Sequence, residues 1–241
     1  MSTEDAEPLR VLRAFSFPKR NDTPNDDRWC ESTDKASCAL SDGASVSFDS
    51  GPWAQTLCRR FIEDREITRD WLEAAIKEYQ LLYDRNAMPW SHQAAFDRGS
   101  FATLLGVVCA PDGHAARVFA LGDTLLAFVE NGQVVRTIPY VRSDEFDKAP
   151  ILFSTNPLEN RLLDEEMLSD AWTTLVLASH ETPTLLLMTD AIGRWLLDEP
   201  SPARVSMLLD VQDDRSFGEF IERERSEGRL KRDDSTLIVV G

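Results

Sequence analysis

Apolar residues along this chain follow two rhythms, and the switches between them predict the order of its elements. The run Val11 to Phe17 reads as a strand and gives way to a polar, turn-rich stretch from Pro18 to Asp27. Arg28-Trp29-Cys30 and Ser37-Cys38-Ala39-Leu40 read as short strands joined by a Ser/Thr/Asp/Lys turn. From Gly51-Pro52 the spacing becomes helical, carrying Trp53, Leu57, Phe61 and Ile62. A second helix is predicted from Thr68 to Tyr83, with Thr68 as N-cap and Trp71, Leu72, Ala75, Ile76 and Tyr79 on one face.

The rhythm then changes. Phe101–Cys109, Ala115–Ala120, Leu125–Val129 and Gln133–Ile138 read as consecutive strands. Pro111-Asp112-Gly113 and Asn131-Gly132 supply hairpin signals, so an antiparallel meander is expected. Residues 139–164 read as an irregular loop region over a sheet edge. Beyond it, a helix is expected over Met167–Leu177, a strand over Thr184–Thr189 and a short helix over Ile192–Leu197. Two more helices, near 203–210 and 216–226, precede a terminal strand at 235–240. There is no internal repeat or low-complexity linker. Strands at both ends with helices between predict an α+β fold in a single domain over 9–241, with residues 1–8 as a flexible N-terminus.

Composition narrows the function. The chain has 241 residues, 42% of them apolar, enough to bury a substantial core. Its formal charge is −16 and its pI about 4.6. That balance disfavours nucleic acid, which needs a basic patch, and anionic membrane surfaces. No run reaches the ~18 apolar residues of a membrane span. The acidic start, Met1 to Glu7, lacks the basic and apolar regions of a signal peptide, so a cytoplasmic location is expected. Cys30, Cys38, Cys58 and Cys109 have no Cys-x-x-Cys spacing and read as buried free thiols. Zinc is disfavoured because His92, His114 and His180 lack ligand spacing with a cysteine.

The candidate chemistry lies in four aspartates at the edges of apolar runs. Asp42 follows Ser37–Ser41, Asp190 follows Leu185–Thr189, Asp123 lies between two strands, and Asp233 leads into the last one. Strand ends fix carboxylates firmly, and gathered carboxylates repel one another unless a cation joins them. Hard divalent cations such as Mg²⁺ and Mn²⁺, which prefer oxygen ligands, are the natural counter-charge. The pattern points to a metal-dependent hydrolase. Each residue also has a structural reading: Asp42-Gly43 as a turn, Asp123 as a hairpin residue, Asp233 as part of a charge cluster with Lys231-Arg232.

Four segments in order resemble the motifs of the PPM/PP2C family of metal-dependent Ser/Thr protein phosphatases. Asn25-Asp26-Asp27 resembles its Asn-Glu-Asp element, and Leu40-Ser41-Asp42-Gly43 its Ala-Asp-Gly. Gly99-Ser100-Phe101-Ala102-Thr103 with Leu121-Gly122-Asp123-Thr124 resembles its Gly-Ser/Thr-Thr-Ala and Gly-Asp-Ser. Leu187 to Gly193 and Arg232 to Val240 resemble its Ser-Asp-Gly and Asp-Asn/Asp-x-Thr-x-x-Val-Val. The resemblance spans residues 25 to 240. It implies a four-layer α-β-β-α sandwich with two central, mostly antiparallel sheets and a metal cleft at one end.

Carried over by position, the resemblance implies two cations, Mn or Mg, and a possible third. Asp42 would bridge the two and hold the attacking metal-bound water, with no side-chain nucleophile, and the Gly43 carbonyl would serve one metal. Asp26 would ligate one ion, Asp190 and Asp233 the other, and Asp123 with Asp190 a weaker third. Asp27 would support the ligands, and Asp234 falls where relatives carry Asn or Asp. Two cations about 3.5–4 Å apart suit phosphoester hydrolysis by direct attack. The implied substrate is a phosphoserine or phosphothreonine protein, a Ser/Thr kinase or its target.

This chain departs from the family at several positions. Asp22 stands where relatives carry a phosphate-gripping Arg, so Lys19 or Arg20 is the candidate replacement. Ala44 stands at the position of a His in many eukaryotic relatives, Ala44-Ser45-Val46-Ser47 replaces a glycine pair, and Ala191 replaces a glycine. These departures motivate a second reading, a catalytically weak or inactive module that binds a kinase or phosphoprotein. Hydrolysis of a small phosphoester is a third. Asp112-Gly113-His114 is assigned to a hairpin turn, and Ser45 has no Gly-x-Ser-x-Gly context. The tryptophans at 53, 71, 90, 172 and 195 read as packing residues, and Glu219–Arg232 as a solvated helix face and loop.

Overall fold

The computed structural model describes residues 8–241; residues 1–7 of the expected flexible terminus lie outside the described residues. In chain order the elements begin β1 (Val11–Phe17), β2 (Arg28–Glu31), β3 (Ser37–Ser41), α1 (Ser50–Glu63), α2 (Arg69–Gln80) and α3 (Trp90–Arg98). Next come β4 (Phe101–Ala102), β5 (Leu104–Cys109), β6 (Ala115–Leu121), β7 (Leu125–Glu130), β8 (Gln133–Ile138) and β9 (Phe153–Ser154). The chain ends with α4 (Glu165–Asp170), β10 (Trp172–Val176), β11 (Thr184–Met188), α5 (Asp190–Asp198), α6 (Pro202–Leu209), α7 (Asp214–Ser226) and β12 (Ser235–Val240).

Ten strands form two five-stranded antiparallel sheets, ordered β1-β12-β11-β7-β8 and β10-β6-β5-β3-β2. Strand alternation builds the layers. Leu185, Leu187, Ile238 and Val240 face the second sheet and meet Leu40, Leu105, Val107 and Val118. Their neighbours Leu186, Met188, Leu237 and Val239 face outward against Trp195, Phe217, Phe220 and Ile221 of α5 and α7. On the far side, Ala39, Leu104 and Phe119 pack against Trp53, Phe61, Trp71 and Tyr79 of α1 and α2. The result is the expected α-β-β-α sandwich. Both faces of the central strands are covered, which is why they read as continuous apolar runs. Burying each large side chain stabilises the fold by about 1.5–3 kcal/mol before entropic costs.

The structure corrects several sequence expectations. The four-strand meander is two hairpins in different sheets, β5-β6 and β7-β8. The chain crosses between sheets at Gly122-Asp123-Thr124. Gly122 has φ 106°, and a Cβ there would lie 2.6 Å from Thr103 Cγ2. Asp123 is therefore a crossover residue and not a hairpin turn.

The helix expected over Met167–Leu177 is a six-residue α4 followed by β10, an edge strand on β6. Trp-Thr-Thr-Leu-Val is rich in β-forming residues, and Trp172 packs on Phe119 and under the Arg117 guanidinium. Phe101–Cys109 breaks at Thr103 into β4, which pairs with β9, and β5. Helix α3 lies where the sequence pattern predicts no element. Thr68 does cap α2, accepting the Trp71 N–H at 3.2 Å.

Three packing assignments also change. Trp90 is exposed, and Cys30 is only half-buried while Cys38, Cys58 and Cys109 are buried. Glu224 and Arg225 are buried, although their stretch reads as solvated. Among the described residues no helix is long and apolar enough to cross a membrane.

Candidate metal centre

The aspartates come together where strand ends of both sheets meet. Strand β3 is buried along its whole length and delivers Asp42. The Asp42 N–H donates to Thr103 Oγ1 at 2.8 Å, and its carbonyl accepts the Thr103 N–H at 2.9 Å. Ser41 Oγ donates to the Thr103 carbonyl at 2.5 Å, and the Thr103 and Thr124 hydroxyls are hydrogen-bonded at 2.5 Å. Thr103, the residue that breaks β4 from β5, thus ties the Asp42 strand to the Asp123 crossover. Gly43 follows with no room for a side chain: a Cβ would lie 2.9 Å from the Asp26 carbonyl.

The other sheet supplies Asp190 and Asp233. Asp190 opens α5 directly after β11, where the helix N-terminus favours a carboxylate. Thr189 Oγ1 donates to Asp27 Oδ2 at 3.1 Å and accepts the Thr236 N–H at 3.0 Å. Thr236 Oγ1 donates to the same Asp27 oxygen at 2.8 Å. Asp27 is buried, and its Oδ1 and Asp190 Oδ1 have no hydrogen-bond partner among the described residues.

A cavity of about 350 Å³ is lined by Asp42, Gly43, Asp123, Asp190 and Asp233, with Lys19, Thr103 and the 139–164 residues Pro150 and Leu152. Four of the five predicted carboxylates therefore share one cavity. Asp26 stands beside it, its N–H donating to Asp234 Oδ2 at 2.9 Å and its carboxylate 3.6 Å from Lys19 Nζ. Lys19 reaches the cavity and donates to Ser45 Oγ at 2.5 Å; Arg20 is exposed at the surface.

The sequence marks Asp234 only by its position in the family motif and does not point to Arg28 or Arg225, yet these three groups hold the pieces together. Asp234 is buried and accepts the Lys19 N–H at 2.6 Å as well as the Asp26 N–H, clamping the 19–26 loop. Arg28 Nη1 donates to the carbonyls of Asn25 at 2.5 Å and Asp27 at 2.7 Å. Buried Arg225 donates to the carbonyls of Pro18 at 3.2 Å and Asp233, bracing both sides of the cavity.

The electrostatics are those of carboxylates short of counter-charge. Burial, then the charges of Asp27, Asp190, Asp123 and Asp233, pushes Asp42 well above the usual carboxylate range. Burial is also the main cause at Asp27, pushed up to about 8, and at Asp123, pushed up to about 6. Asp190 is raised by burial against the opposing pull of Lys231. Lys231 Nζ lies 3.1 Å from Asp190 Oδ2 and 2.8 Å from Asp233 Oδ2.

Among the described residues, no three carboxylates, imidazoles or thiols stand close enough together to hold an ion as arranged here. The donor chemistry nonetheless fits a hard divalent cation. The side-chain acceptors that line the cavity are all oxygens, with no imidazole or thiolate, and the Asp190 and Asp27 carboxylates each have an oxygen without a protein partner.

Residues 18–229 match the family model described as protein phosphatase 2C. The chain belongs to the protein phosphatase 2C family. The match ends just before Asp233 and β12. No curated protein matches the chain.

Among solved structures, this family member is similar to the catalytic domain of the serine threonine protein phosphatase PstP in complex with two manganese ions. The identity is 18%, with 97% of each chain covered and a TM-score of 0.60. It is also similar to the photosystem II phosphatase PBCP, at 16% identity over 96% of this chain and 98% of that one, TM-score 0.59. A third is PppA, a regulatory component of T6SS in Pseudomonas aeruginosa, at 16% identity over 96% of both chains, TM-score 0.56. At such identities the likeness speaks for the fold.

Proposed function

We propose that residues 9–241 act as one Mn²⁺- or Mg²⁺-dependent phosphatase domain that hydrolyses phosphoserine or phosphothreonine on proteins in the cytoplasm. The observation that carries this reading is the convergence of Asp42, Asp123, Asp190 and Asp233 on one cavity within a protein phosphatase 2C family member. The manganese-containing PstP structure supports the choice of cation class. Asp42 would bridge two ions, with Gly43 and Asp26 toward one, Asp190 and Asp233 toward the other, and Asp123 toward a third. When bound, the cations supply water activation and charge neutralisation on the phosphoryl group. Lys19, whose ammonium borders the cavity, would bind the phosphate in place of the family arginine. Ser45 and Asp234 hold Lys19 in position, and Asp27 orients the Thr189 and Thr236 hydroxyls beneath the aspartates. The test is hydrolysis of a phosphothreonine peptide with Mn²⁺ and with EDTA, by wild type and Asp42→Asn. Turnover that needs the metal and vanishes in the variant is expected; EDTA-insensitive turnover overturns the mechanism.

One observation favours a second reading, a phosphoprotein- or kinase-binding module without turnover. Two lysines already neutralise carboxylates of the centre, Lys19 at Asp26 and Asp234, and Lys231 at Asp190 and Asp233. Folded, Mn²⁺-loaded protein that binds but does not hydrolyse the peptide would establish this reading.

A further inference from the structure

The two lysines are held differently. Lys19 is mostly covered, with Ser45 Oγ and the Asp26 and Asp234 carboxylates around its ammonium. Lys231 has a side chain that is 57% exposed, and its ammonium meets the carboxylates of Asp190 and Asp233. Its backbone is anchored on both sides. Leu230 is buried in the outer core, the Asp233 N–H returns to the Lys231 carbonyl at 3.1 Å, and Arg225 holds the Asp233 carbonyl. The four-carbon stem is therefore free to swing into solvent while its root stays fixed.

We propose that Lys231 is a tethered counter-cation, spanning Asp190 and Asp233 until a divalent cation displaces it. The inference rests on the metal-centre reading above. The ammonium sits on Asp190 Oδ2 and Asp233 Oδ2, so a divalent cation drawn to these two carboxylates meets a like charge already on them and competes with it. Asp190 Oδ1 has no partner, so the ammonium leaves part of this pair's acceptor capacity unused, which a multiply coordinating ion would take up. Lys231 thereby keeps the metal-free centre assembled and lowers its apparent affinity for metal. This chain would load at higher metal concentration than its carboxylate count alone implies.

The experiment is calorimetric titration of the full chain with MnCl₂, comparing wild type, Lys231→Gln and Arg232→Gln, with melting curves in EDTA. Arg232→Gln removes the same charge one residue away from an exposed side chain. Lys231→Gln is expected to bind Mn²⁺ more tightly by on the order of tenfold, as removal of a competing ion pair implies. It should also melt lower than wild type in EDTA but level with it in saturating Mn²⁺. Equal affinity in wild type and Lys231→Gln, or equal tightening in Arg232→Gln, overturns the inference and leaves the metal centre standing. Mn²⁺ binding by none of the three proteins overturns both.

Discussion

Two buried acidic regions of this molecule obey opposite rules. At the junction of α5 and α7, Glu224 is buried, yet every oxygen is served. Trp195 Nε1 donates at 3.0 Å, Arg229 at 2.7 and 2.9 Å, and Arg223 at 3.1 Å. Arg229 first, then Arg223 and Trp195, holds its carboxyl down to about 2. At the cavity and just beneath it, Asp42, Asp123, Asp190 and Asp27 are pushed the other way by burial and by neighbouring carboxylates. The Glu224 carboxylate is saturated with donors, whereas Asp27 and Asp190 each keep an oxygen without a protein partner.

The sharpest way to break this contrast is at its extremes. Asp42→Asn is expected to lower phosphopeptide turnover by on the order of 10²–10³ while leaving the melting temperature unchanged or raised, since it removes a repelling charge. Glu224→Ala should do the reverse. It strands the buried Trp195 N–H and costs about 1–3 kcal/mol in urea unfolding, with turnover per folded molecule preserved. Lys19→Met should act between them, raising KM for the phosphopeptide about tenfold if its ammonium grips phosphate. An unchanged KM would leave Lys19 only as a clamp on Asp26 and Asp234.

The pH dependence sharpens the comparison with smaller effects of opposite sign. Asp27 and Asp123 have folded pKa values raised above their unfolded ones. The stability they contribute is full below about pH 4 and is lost as pH rises through about 6 and about 8. Glu224 is depressed, so its contribution is present above about pH 4 and lost as pH falls through about 2. Melting temperatures in EDTA should therefore decline from pH 5 to pH 8, and Mn²⁺ should flatten that decline. A flat profile in EDTA would show that the cavity carries no electrostatic strain.

Much of this architecture was readable because strand burial is a local pattern. Leu185–Met188 and Leu237–Val240 are apolar on both faces, and each is a central strand of its sheet. Asp42 and Asp190 were legible because a carboxylate abutting such a run has few structural reasons to be there. What failed depends on partners distant in sequence. Met167, Leu168, Ala171 and Leu175 fit a helical period, but pairing with β6 decides for a strand at Trp172. The placement of β6 and β7 in different sheets is set by the whole core, as a hairpin signal carries no sheet identity. Charges reveal least. Nothing local separates Glu224, held by three side chains, from Glu222, or Lys231 in the centre from Arg232 beside it.

The last strand is inserted in the middle of its sheet. Strand β12 lies between β1 and β11, and the residues leading into it carry Asp233 and Asp234. During synthesis, β1 leaves the ribosome first and must wait for a neighbour more than 200 residues later, roughly ten seconds or more at common elongation rates. Until then its edge is open, the 19–26 loop has no Asp234 to fasten it, and the cavity lacks Asp233. A chain interrupted anywhere before Asp233 therefore lacks one wall of the cavity and the strand that joins β1 to the rest of its sheet.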